Sequence, residues 1–107
     1  MGYRLLISTV KPGVTDDIVT AAKAAGARGA TIIPARGAGT HEAQTFFGLT
    51  LEEQTDVVLM LLEDDQVRPV LDAISKAGEF HKPGTGIAFV LPVEEVDGLG
   101  AVPESDG

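Results

Sequence analysis

Residues 54–74, QTDVVLMLLEDDQVRPVLDAI, contain a change of period that decides the fold. Residues 54–62 read as a strand whose last six residues, Val57 to Leu62, are a continuous apolar run, which predicts a central strand covered by other elements. Glu63, Asp64 and Asp65 follow it, and acids at this point cap and charge the first turn of a helix. The apolar residues then recur at Val67, Val70, Leu71 and Ile74, one face of a helix, and Pro69 falls early enough to be tolerated in the first turns.

The same strand-then-helix pattern precedes this stretch. Residues 3–10, YRLLISTV, read as a strand ended by Lys11-Pro12-Gly13. Thr15-Asp16-Asp17 supplies capping oxygens for a first helix, which carries Ile18, Val19, Ala22 and Ala25 at helical spacing and stops at Gly26. Residues 29–35, GATIIPA, form a second strand, whose Pro34 lacks a ladder donor and belongs at a strand end or on an edge. A last strand is predicted over residues 87–91, IAFVL, after which nothing periodic remains. The order β-α-β-β-α-β specifies an α+β chain with the ferredoxin-like plait, an antiparallel sheet carrying two helices on one face. That fold hosts many functions, so function has to be argued from sites.

The chain has 107 residues, 8 Lys and Arg against 16 Asp and Glu, and no Cys. A net charge of −8 opposes binding to nucleic acid, where basic patches supply affinity. The lack of Cys excludes disulfides, a thiolate nucleophile and Cys-based zinc sites. The first apolar run is too short to span a membrane and has no signal-peptide pattern, so the expected compartment is the cytoplasm, without membrane insertion. Burying a sheet face in a second copy would help a chain this small, so an oligomer is expected. Residues 94–107 hold Glu94, Glu95, Asp97, Glu104 and Asp106 without Lys or Arg. We expect one domain over residues 1–93 and an acidic, disordered tail over 94–107.

Two glycine-rich loops are candidates for chemistry. Residues 36–50, RGAGTHEAQTFFGLT, leave the second strand and are long for a compact domain, the mark of a functional or disordered loop. Gly37, Ala38, Gly39 and Thr40 let backbone N–H groups turn toward a ligand, or form a plain flexible turn. Phe46 and Phe47 either pack back on the core or present an apolar patch to a partner. The second loop, Lys82-Pro83-Gly84-Thr85-Gly86, combines a cation with a close-approach glycine pair, as an anion cradle requires. It lacks the spacing of a phosphate-binding NTPase loop.

Taken together, these loops and their flanks resemble a known family. Lys11-Pro12, Thr15-Asp16-Asp17-Ile18, Gly26-Ala27-Arg28-Gly29-Ala30-Thr31 and Arg36-Gly37-Ala38-Gly39 resemble, without a gap, the first half of PII signal-transduction proteins. Asp64-Asp65 with Val67, Leu71 and Ile74, then Lys82 through Val90, resemble the second helix, B-loop and last strand of the same family. The resemblance covers roughly residues 3–93, with a shortfall at 43–53, the region of the T-loop. It implies a non-enzymatic regulator: a homotrimer with clefts between subunits that bind an adenine nucleotide, and a T-loop that touches a target protein, a membrane transporter or an enzyme.

By that resemblance Thr31 contacts the base, Gly37, Ala38, Gly39 and Thr40 form the T-loop base around the ligand, and Lys82, Gly84, Thr85 and Gly86 contact phosphate. His41, Phe46 and Phe47 fall in the partner-contacting loop, His41 in place of a glutamine that helps bind metal and 2-oxoglutarate. Ile87 stands where the family has a second lysine, and Gly98 and Gly100 where it has paired arginines. Each lost charge-assisted contact forgoes about 1.5–3 kcal/mol, so AMP or ADP is expected in preference to ATP. The T-loop segment has no Tyr, which excludes tyrosine uridylylation. No cofactor is obligatory. An alternative from the same fold class is a CutA-like trimer binding a divalent metal through His41, His81 and carboxylates. An enzyme using His41 or His81 as general base finds no nucleophile or paired carboxylates to work with.

Overall fold

The computed structural model describes residues 2–36 and 54–99, together with the backbone of 45–46 and 49–50. Strand β1 (Tyr3–Val10) is followed by a short 3-10 helix (Pro12–Val14) and α1 (Thr15–Ala24). Strand β2 (Thr31–Ala35) leads to two short strands, β3 (Thr45–Phe46) and β4 (Leu49–Thr50), which pair antiparallel with each other inside the long loop. Then come β5 (Thr55–Glu63), a 3-10 turn (Asp64–Gln66), α2 (Val67–Ala77) and β6 (Gly86–Val93).

The main sheet has the order β2-β5-β1-β6, with every pairing antiparallel. The expected plait is therefore present, with the β3–β4 pair as an addition that residues 36–50 did not announce. β2 and β6 are the edges, which explains how Pro34 and Pro92 are tolerated within strands.

Alternation along the central strands sends Leu6 and Val10 of β1 and Val58, Met60 and Leu62 of β5 to one face. There they meet Ile18 and Ala22 of α1 and Val70 and Ile74 of α2, forming one core. Burial of each large aliphatic side chain contributes about 1.5–3 kcal/mol. Residues on the other face, such as Leu5, Ile7, Val57, Leu59 and Phe89, are only partly buried. Ile33, Leu61 and Leu91 on that face are 44%, 39% and 45% exposed. Among the described residues, no helix covers it.

Helix starts follow two different rules. Glu63 and Gln66 form a reciprocal capping box ahead of α2, as the acidic run suggested. At α1, by contrast, no side chain caps. Thr15 lies inside the first turn, buried, and its hydroxyl donates to Asp56 of β5. Beyond the end of α1, Gly26 has a φ of +122°, which suits glycine and lets the Ala27 N–H reach back to the Ala22 carbonyl.

Candidate functional site

The chain leaving α1 builds one wall of a cleft of about 420 Å³ on the uncovered sheet face. Arg28, Gly29 and Thr31 line it from β2 and its approach, Leu59 and Leu61 form the floor from β5, and Glu63 and Gln66 close the far end. Leu99, beyond β6, also lines it. Hydrogen bonds fix the geometry: Gln66 Nε2 donates to the Gly26 carbonyl at 2.8 Å and Gln66 Oε1 accepts from the Glu63 N–H at 2.8 Å. The cleft thus combines an apolar floor with one cation, one carboxylate, an amide and the two hydroxyls of Thr31 and Tyr3, a set suited to a flat polar heterocycle or its sugar.

The second glycine-rich loop folds on itself. After α2 the Phe80 N–H donates to Ser75 O, and the Lys82 N–H donates to Glu79 O at 2.9 Å. The Thr85 hydroxyl is shared between the carbonyls of Glu79 at 2.8 Å and Lys82 at 2.9 Å. Gly84 has a φ of +77°. Lys82 Nζ lies 3.2 Å from Glu79 Oε1, with both side chains 57% exposed. Gly86 has a packing role as well: a Cβ there would lie 2.6 Å from the Phe80 ring and 3.1 Å from Val10 Cγ1.

A second concavity, about 320 Å³, opens at the end of the sheet where Pro34, Ala35 and Arg36 leave β2 beside Gln54 and Asp56. Lys11, Ala35, Thr55 and Gly86 all lie at that end. Gly37, Ala38, Gly39, Thr40, His41 and Phe47 lie outside the described residues, and Phe46 is described only as part of β3.

The two described halves of the candidate set do not meet within one chain. Thr31 is on the β2 edge and the Lys82–Gly86 loop feeds the β6 edge, with β5 and β1 between them. Three interstrand steps place the edges roughly 14 Å apart. Lys82 and Thr85 are also engaged inside their own loop. Of the cleft residues, sequence reading found only Thr31 and missed the others, Tyr3, Arg28, Glu63, Gln66 and Leu99 among them. The Glu63-x-x-Gln66 spacing signals a capping box, but nothing in it shows that the amide also reaches Gly26, and Leu99 falls in a stretch without periodicity. His81 is exposed, and among the described residues no group of three or more His, Asp or Glu is placed to hold a metal ion. No described helix is long and apolar enough to cross a membrane.

Comparison with known proteins gives a consistent result. The model of a family described as nitrogen regulatory protein P-II matches residues 4–99. A nitrogen regulatory protein P-II of Mesorhizobium japonicum is 32% identical over 92 residues, 81% of this chain and 82% of the relative. One from Azospirillum brasilense is 30% identical over the same length and shares. Among solved structures, Arabidopsis thaliana PII bound to citrate superposes with a TM-score of 0.67 at 25% identity, covering 86% of this chain and 78% of that one.

Proposed function

This chain belongs to the nitrogen regulatory protein P-II family, whose members are regulators and not enzymes, and we propose that it binds a small anionic effector, AMP or ADP, in clefts between the subunits of a homotrimer. Membership also favours this reading over a CutA-like metal-binding trimer. The observation that carries it is the division of the candidate site between opposite edges of one sheet. A second copy that brings its β6 edge against the β2 edge joins the Thr31 cleft to the Lys82 loop. The bare face with Ile33, Leu61 and Leu91 supplies apolar area for that association. Thr9 Oγ1, buried on the same face opposite Ile87, has no hydrogen-bond partner among the described residues, a polar atom left for a group from another chain or a ligand.

Within this reading the base and ribose go to the cleft lined by Thr31, Leu59 and Leu61, and the phosphates go to Lys82 and the N–H groups around Gly84 and Gly86. Ile87 offers no second cation, and the described residues after β6, 94–99, contain none either. Fewer phosphates are therefore held better. The segment 37–50, with Gly37, Ala38, Gly39 and Thr40 at its root and His41, Phe46 and Phe47 further out, responds to the effector and contacts a target, a membrane transporter or an enzyme in the cytoplasm. The effector shifts that loop only by its differential affinity for the loop's states. The citrate in the Arabidopsis relative makes a small polycarboxylate the second candidate for the same anion site.

A thermal-shift and calorimetric panel of AMP, ADP, ATP and citrate tests the proposal. The expected result is saturable binding of AMP or ADP, tighter than ATP, at one molecule per chain. No response to any adenine nucleotide overturns the nucleotide assignment.

A further inference from the structure

Glu79 is the one described residue other than glycine with a positive φ, +55°. A left-handed backbone is disfavoured at a residue with a Cβ, and such outliers persist where the surroundings enforce them. Here the return of the chain enforces it, because Lys82 N–H and Thr85 Oγ1 both donate to the Glu79 carbonyl. The same turn brings the Glu79 carboxylate to 3.2 Å from Lys82 Nζ, the only cation in the loop.

We infer that Glu79 is a built-in competitor for the anion and sets the charge preference of the site: a phosphate reaching Lys82 must take the amine from the Glu79 carboxylate or share it at close range. The inference rests on the reading of this loop as an anion site. An ammonium has three donors and can serve two acceptors, but the acceptors then repel each other, and the repulsion grows with the charge of the ligand. Glu79 thus penalises a terminal diphosphate more than a monophosphate. This acts in the same direction as the missing cation at Ile87, through a separate group. An exposed pair of this kind is weak, so the effect is a tuning of affinity and not a block.

The test is calorimetric titration of AMP, ADP and inorganic pyrophosphate into the full chain and three variants, Glu79→Gln, Lys82→Ala and the double substitution. Glu79→Asn serves as a second neutral variant whose side chain suits the left-handed backbone. The expected result is a gain of about two- to fivefold for pyrophosphate and ADP in both neutral variants, less for AMP, and no gain when Lys82 is absent. Unchanged or weaker binding in Glu79→Gln, an equal gain without Lys82, or a gain for AMP as large as for ADP overturns the inference. If pyrophosphate binds and gains affinity while no nucleotide binds any variant, the nucleotide reading fails and the role of Glu79 stands. If no anion binds any variant, both fail.

Discussion

The side-chain amide of Gln66 donates to the carbonyl of Gly26 at 2.8 Å while its oxygen accepts from the backbone N–H of Glu63 at 2.8 Å. One residue at the start of α2 therefore holds the end of β5 and the chain leaving α1, the two walls of the Thr31 cleft. Replacing it with Leu leaves the half-buried Glu63 N–H without its partner. Gln66→Leu is expected to lower stability by about 1–2 kcal/mol in urea unfolding, and Gln66→Glu, which keeps the acceptor, by less.

Gly86 meets the Phe80 ring at a distance no side chain can share. Gly86→Ala is expected to cost about 1–3 kcal/mol, with part of the loss recovered in the double variant with Phe80→Leu. Thermal unfolding of the two single variants and the pair gives the coupling directly. Without coupling, Gly86 would have no packing role in the loop.

The buried Thr15 hydroxyl donates to the half-buried Asp56 carboxylate, joining α1 to β5. Thr15→Val removes the donor at nearly constant volume and is expected to destabilise the chain by about 1–3 kcal/mol. Asp56→Asn retains an acceptor oxygen and is expected to cost less. Denaturant midpoints compare the two.

Leu91 is 45% exposed on the face that no described helix covers, directly opposite Leu5 of β1. Placing a charge there leaves the helix-side core untouched and opposes association through the bare face. Leu91→Lys is expected to reduce the mass measured by light scattering from that of the proposed trimer toward monomer while the far-UV spectrum is retained. An unchanged mass would show that association does not use this face.

Much of the fold was legible because its signals are local. The switch from the run ending at Leu62 to the helical spacing of Val67, Val70 and Ile74 placed the central strand and α2, and Pro34 marked an edge strand. Pro92 reads as a stop that ends the last strand at Leu91, yet as an edge strand β6 runs on to Val93. Thr15 reads as a cap from sequence alone, since its partner Asp56 is 41 residues away and only the folded chain brings them together. The glycines, Lys82 and Thr31 stood out as types and positions. What their types did not show is that Lys82 is paired with Glu79, that the Thr85 hydroxyl is bonded within its loop, and that Thr31 and Lys82 lie at opposite edges. Those facts follow from backbone turns and strand order, which no single stretch encodes.

The most direct test of a site shared between subunits is ADP titration of a mixed assembly. Thr31→Ala and Lys82→Ala chains, each expected to bind ADP poorly alone, are unfolded, mixed in equal amounts and refolded together. If each cleft takes Thr31 from one chain and Lys82 from its neighbour, random assembly restores about a quarter of the clefts to full affinity. Recovery of that fraction is the predicted result. No recovery from the mixture, with the wild-type chain binding ADP normally, would contradict the account by placing the whole site within one chain.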